Sequence, residues 1–331
     1  MISLALLAAA AASAPTPGQL KVFSDWIVGC DNGRACQASG LQPEGDFDAL
    51  TMVVTRKAAA GAMPEISINT DQEHVAALAV DGRKLPIRTI TAAGVVSVSP
   101  KDSRAFVETV RPARRLGLLD ANGVEIGHAS LSGFNAALLY MDDQQKRVGT
   151  VTALIRKGPA TSVPAPPALP AIVSPLAPKL PPLRLGKADI ARETRTLECE
   201  AADSGNFETL YARLDTQTSL ALLPWPCGNG AYNYFAYALL IDQKGKVRAA
   251  RFDAPPGMGE ENDNSVVNAD WDEATRGLST YAKGRGLGDC GTMQSFAWDG
   301  TRFRLVEQSE MGECRGSVDY IMTWRAAVSR R

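Results

Sequence analysis

Two groups of residues have the types and spacing to do chemistry. The first is Lys283-Gly-Arg-Gly-Leu-Gly-Asp-Cys-Gly291, where two cations, Lys283 and Arg285, stand among turn-forming glycines. Backbone amides in such turns can form a concave nest for an anion, so Lys283, Arg285, Gly286 and Gly288 are candidate anion-binding residues. Gly286 to Gly291 also satisfies the letter of G-x-G-x-x-G. A dinucleotide site needs those glycines at a strand-to-helix turn with an acid about 20 residues further on. Here strand-like residues flank the motif on both sides, so no nucleotide cofactor is expected, and no other cofactor is signalled.

The second group is acidic: Glu260, Glu261, Asp263, Asp270 and Asp272, with Glu273 and Asp289 further along. Paired carboxylates hydrolyse glycosidic bonds without histidine, and the same oxygen-rich run, with Asn262, Asn264 and Asn268, has ligands for calcium. It lacks the D-x-D-x-D-G loop, so a solvated loop is the plainer reading. Nucleophilic catalysis has little to work with. The chain holds only His74 and His128, both in its first half, and there is no G-x-S-x-G elbow. With two histidines and no C-x-x-C, a zinc set is not expected.

The cysteines are Cys30, Cys36, Cys199, Cys227, Cys290 and Cys314, an even number falling into three local pairs. Residues 1–14 carry a short alanine-rich apolar run, followed by Pro15 and Pro17, which fits a secretory signal peptide cut near residues 12–14. The run is too short to span a bilayer. Together these features predict export to an oxidising compartment, the periplasm of a Gram-negative bacterium, and a disulfide framework whose simplest connectivity is between sequence neighbours. A net charge of −1 gives no reason to expect nucleic acid or an anionic membrane as partner.

The elements that must position these residues are mostly strands. Apolar alternation predicts strands at Ala49–Arg56, Glu65–Asn69 and Val75–Val80, and a helix over about Asp102–Arg111 limited by Pro112. A second helix is expected from a Ser132 cap, because Phe134, Ala137, Leu138 and Met141 recur at helical spacing, followed by a strand over Val148–Ile155. Nine prolines between Gly158 and Pro182 favour an extended polyproline tether that cannot pair in a sheet. The expected organisation is therefore a first domain over 19–157, a linker over 158–182 and a second domain over 183–331. In the second domain Ala231–Ile241 and Lys246–Phe252 read as a hairpin, and Trp271 to Glu307 as an antiparallel meander turning at Gly284–Gly291 and Asp299-Gly300. The predicted fold class is mainly β with a few short helices, sandwich-like in the first domain and a meander or sandwich in the second.

Four stretches carry a family resemblance: the W-x-V-x-C-D-N-x-x-x-C opening from Trp26 to Cys36, the Gly133–Gln145 helix, Pro226–Asn233, and Lys283–Gly291 with Trp298-Asp-Gly. In this order they resemble the bacterial family catalogued as domain of unknown function 1176. The first half is also faintly similar to the invasion-associated locus B proteins through Trp26 and Cys30. The first resemblance implies an exported, periplasmic protein and brings no catalytic residues with it. The expected role is a non-enzymatic binding or envelope-support protein, acting on an envelope ligand or partner that the residues do not specify. A carboxylate-dependent hydrolase of envelope glycans and an inhibitor of a periplasmic or host enzyme are the alternatives.

Overall fold

The computed structural model describes residues 14–331 except 73, 177, 196–207, 227 and 259–262. Its first half runs β1 (Lys21–Phe23), β2 (Trp26–Cys30), β3 (Cys36–Gly40), β4 (Met52–Arg56), β5 (Glu65–Asn69), β6 (Ala77–Val80), β7 (Arg83–Lys84), β8 (Thr89–Ala92) and β9 (Val95–Val98). Then come α1 (Ser103–Val110), β10 (Arg115–Leu119), β11 (Glu125–Ser130) and α2 (Phe134–Gln144). A seven-stranded antiparallel sheet, β1-β2-β3-β4-β5-β9-β8, and a four-stranded one, β11-β10-β6-β7, enclose the first core with the two helices. Trp26 and Phe134 sit at its centre, edge to face with ring centroids 5.0 Å apart, a geometry worth about 0.5–1.5 kcal/mol beyond area burial.

The second half comprises β12 (Ala171–Ser174), α3 (Lys187–Glu193), β13 (Leu210–Arg213), β14 (Thr218–Pro224), β15 (Phe235–Asp242), β16 (Val247–Ala249) and β17 (Ser265–Val267). It ends with β18 (Asp270–Asp272), β19 (Gly277–Lys283), β20 (Gly291–Trp298), β21 (Phe303–Met311), β22 (Ile321–Arg325) and β23 (Ala327–Arg330). One sheet has the order β13-β14-β15-β16 with β17 on β15, and the other is the meander β18-β19-β20-β21-β22. Trp271, Leu278, Phe296, Trp298, Phe303 and Leu305 from the meander pack against Leu220, Leu222 and Leu240 from the first sheet. The fold is β-rich α+β, as the alternation predicted.

Three local expectations are corrected. The second helix is capped by Gly133, not Ser132: the turn requires φ +93°, and a Cβ there would stand 1.7 Å from the Phe23 carbonyl oxygen. Val148–Ile155 is a series of turns rather than a strand. Side chains have taken its ladder bonds, since Asp142 Oδ2 accepts from the Leu154 and Ile155 amides at 2.8 and 2.9 Å. The proline-rich stretch does pair: Ala171–Ser174, a proline-free tetrad, lies parallel to Ala327–Arg330 as β12 against β23. Proline blocks ladder donors only where it occurs, and four consecutive free amides suffice for a short edge pair.

The two halves meet along β2, β3 and β22. Ile27 and Leu41 share an apolar cluster with Cys290, Met311 and Ile321. Gly18 donates to the Thr323 carbonyl at 2.8 Å, which lays the segment before β1 beside the meander.

Candidate functional site

The signature residues of the sequence are mostly occupied in holding the fold. Asp31, in the opening motif, accepts from the Gly33 and Ala35 amides at 2.8 and 2.9 Å through Oδ1 and from the Arg325 guanidinium through Oδ2. Asn32 makes a reciprocal pair with the Arg325 backbone, at 2.9 and 2.8 Å. Cys30 is bonded to Cys36 beneath this turn, and Cys290 to Cys314 across the other. Cys199 and Cys227 lie outside the described residues.

On α2, Asp142 Oδ1 receives Arg56 at 2.6 Å, and both side chains are fully buried. Gln145 accepts from the same guanidinium at 2.6 Å, while burial pushes Arg56 down to about 10 against the pull of Asp142. Arg147 is also buried and donates to the carbonyls of Ala58, Ala59 and Ala60. Removing one partner of such a buried pair costs about 3–5 kcal/mol, because the other charge is left uncompensated. These polar residues of the helix end are fold determinants.

The glycine-rich stretch is the β19–β20 connection. Arg285 grips Asp289 with two nitrogens, and Asp289 Oδ2 also accepts from Gly316 at 2.8 Å. The guanidinium bond holds Asp289 below the usual carboxylate range. Arg285 is therefore compensated within its own turn, and Lys283 lies 5.3 Å from the Tyr281 ring centroid. Gly288 offers its carbonyl to the Tyr281 and Tyr320 hydroxyls at 2.8 and 3.2 Å. Gly291 has φ +138° and meets the Ala282 carbonyl oxygen at 2.0 Å from a notional Cβ, whereas at Gly286 the nearest atom is 3.4 Å away. Arg285 also borders a cleft of about 430 Å³ with Phe47, Cys314 and Arg315, and Arg315 is paired with Asp25 at 2.6 Å.

The acidic residues are dispersed. Glu260 and Glu261 lie outside the described residues. Asp270 and Asp272 are exposed on β18 on either side of the inward Trp271, and Asp272 caps its own turn through the Ala274 and Thr275 amides, which lower its pKa. Among the described residues no group of three or more His, Cys, Asp or Glu is placed to hold a metal ion. His128 is paired with Asp46 at 2.7 Å.

Among the described residues of the acidic set, Asp263 lines a substantial cavity, a cleft of about 630 Å³ over the meander. Its size falls in the range of small-ligand sites. The walls are Pro15, Pro17, Pro255 and Pro256 with Phe252, and the floor is polar. In register, Gln294 on β20 faces Gln308 on β21, and two residues along Thr292 faces Glu310. Gln294 Oε1 accepts from the Gly257 amide at 2.6 Å, and its Nε2 donates to the Pro255 carbonyl at 3.0 Å and to Gln308 Oε1 at 2.8 Å. Gln308 in turn donates to Glu310 Oε1, which also accepts from Thr323 Oγ1 at 3.1 Å. The chain of amides thus points its donors one way and ends on a carboxylate in the cleft, an arrangement in which each bond polarises the next.

These floor residues were not singled out by sequence reasoning, although one signal was present. Gln294 shares a strand face with Phe296 and Trp298, so a polar side chain occupies a core-facing position. Gln308 and Glu310 carried no such signal, because a bulge between their strand's two ends shifts the register at Ser295/Phe296 and reverses which positions face inward.

Comparison with known proteins places the chain in context. It is 33% identical over 319 residues to the "Uncharacterized protein YpfG" of Escherichia coli (strain K12), covering 89% of this chain and 88% of that protein. No solved structure matches it. The likeness to invasion-associated locus B proteins finds no support in these comparisons. Residues 20–327 match the family described as "Protein of unknown function (DUF1176)", and the chain belongs to that family.

Proposed function

We propose that the protein is exported and acts by binding a small ligand in the cleft over Gln294 and Gln308. The observation that carries this reading is the built polar floor beneath apolar walls: oriented amides ending on Glu310, under a rim of prolines and Phe252. Such a site fixes a ligand by a few placed hydrogen bonds while excluding water from its apolar parts. Export is supported by the alanine-rich opening and by the two disulfides, Cys30–Cys36 and Cys290–Cys314. No helix among the described residues is long and apolar enough to cross a membrane.

Equilibrium dialysis against a small-molecule extract of bacterial envelopes, read by mass spectrometry, tests this. The parent protein should enrich at least one compound, and Thr292→Trp, which fills the cleft, should not. Enrichment by neither protein, or equally by both, would overturn the reading.

A second reading has one observation in its favour: the carboxylates of Asp253, Asp263 and Glu310 line the same cleft, and among the described residues only Asp253 of the three is engaged by an arginine. It makes the protein a hydrolase of envelope glycans, with Asp263 and Glu310 as its paired carboxylates. Release of reducing ends from purified peptidoglycan, lost in Glu310→Gln, is the outcome that would replace binding by catalysis.

A further inference from the structure

We infer that the ligand of this cleft is an extended peptide with free termini, its ammonium seated at Glu310 and its carboxylate at Arg302. The inference rests on the binding reading above and adds the chemical class and direction of the ligand. Arg302 and Glu310 bracket β21, with Arg302 immediately before the strand and Glu310 next to its last residue, and both line the cleft. Eight residues of strand separate their positions by roughly 25 Å, the reach of about seven residues of extended chain.

The charges at the two ends are available to a ligand. Glu310 uses Oε1 for Gln308 and Thr323, and its Oε2 has no hydrogen bond to the described residues. Because Oε1 already takes two donors, the carboxylate is a fixed acceptor that a ligand must meet with a donor, best a cationic one. Asp263, which also lines the cleft, uses Oδ1 for the Ser265 amide at 2.9 Å, and its Oδ2 has no bond to the described residues. At the other end the Arg302 backbone amide bonds Asp299, but its guanidinium has no partner among the described residues. The nearby acid does not cancel it, since Asp253 is engaged by Arg304 and by the Leu305 amide.

The middle of the cleft suits a peptide backbone. The chain's own segment 14–17, rich in proline and without regular structure, already forms one wall, so this face accommodates a peptide alongside the sheet. Thr292, opposite Glu310 in register, and Asp263 offer further polar atoms in the cleft, and the prolines with Phe252 offer apolar surface to alternate side chains.

Calorimetric titration of the full chain with a synthetic heptapeptide of alternating alanine and serine is the test. Free, N-acetylated and C-amidated forms are compared on the parent, Glu310→Gln and Arg302→Gln proteins. Acetylation should weaken binding to the parent at least tenfold and have no further effect on Glu310→Gln. Amidation should do the same with respect to Arg302→Gln. Equal binding of all three forms, or no binding of any, would overturn the peptide inference. The dialysis result with Thr292→Trp stands apart from it, so a cleft that enriches another compound would keep the binding reading while removing this one.

Discussion

Gln294 and Gln308, on neighbouring strands, join through Nε2 and Oε1 at 2.8 Å while both side chains are buried. An amide pair in a core-facing row is stable only if its donors and acceptors are satisfied, and here the Pro255 carbonyl, the Gly257 amide and Glu310 complete the set. Gln308→Leu should therefore destabilise by about 1–3 kcal/mol, the cost of leaving buried polar groups unpaired. The double variant Gln294→Leu with Gln308→Leu should fall short of the sum of the singles. Urea denaturation of the four proteins gives the coupling, and strict additivity would show that the pair is not a unit.

The glycine-rich connection is expected to matter for backbone geometry at some positions only. Gly291→Ala must bring a Cβ to 2.0 Å from the Ala282 carbonyl oxygen at φ +138°, so it should lower stability by at least about 2 kcal/mol or prevent folding. Gly286→Ala meets ordinary van der Waals distance at Tyr232 and should change stability by less than about 0.5 kcal/mol. Thermal melts of the two variants check this ordering.

Two aspartates at the joint between the halves have opposite pH signatures. Burial raises Asp319 above its ordinary value of 3.8, with Asn69 as its side-chain donor at 2.5 Å. The folded state then holds that proton more tightly, so stability falls as pH rises from 3.8 through the raised value. Asp289 is shifted down by Arg285, so its contribution is present above 3.8 and lost as pH falls through its lower folded value. Asp319→Asn should be more stable than the parent at pH 7, with the advantage shrinking in acid. Asp289→Asn should be less stable at pH 7, with the deficit shrinking in acid. Melting temperatures from pH 3 to 8 decide both signs.

The division into domains at 158–182 is a proposal, and the contacts at the joint make it specific. Limited proteolysis should cut within this segment and leave two fragments that remain associated. Asp31 and Asn32 grip Arg325, Gln37 donates to the Asp319 carbonyl at 2.8 Å, and β12 pairs with β23. Gel filtration of the nicked protein checks this, and separation of the fragments at neutral pH would contradict it.

Much of the fold was legible because its signals are local. Asp-Gly and Lys-Gly turns, alternating apolar strands and the helical spacing of Phe134 to Met141 placed most elements. Val148–Ile155 was misread because Asp142 takes the backbone donors that a strand would have needed, a tertiary choice that local propensity does not encode. The candidate site was less legible for a related reason. Its acids drew attention by clustering in sequence, yet Asp270 and Asp272 face outward, and among the described acids of that cluster Asp263 reaches the cleft. The floor depends on cross-strand register and on a bulge, which bring Gln294, Gln308, Thr292 and Glu310 to one face.

Binding over the Gln294–Gln308 floor is proposed to leave the ligand unchanged. Its most direct test is titration of a compound enriched by dialysis into the parent, Thr292→Trp, and the double variant Asp270→Asn with Asp272→Asn. The expected outcome is parent-like affinity for the double aspartate variant, at least a hundredfold loss for Thr292→Trp, and recovery of the compound intact. Loss of affinity in the aspartate variant with Thr292→Trp unaffected, or recovery of cleaved product, would contradict it.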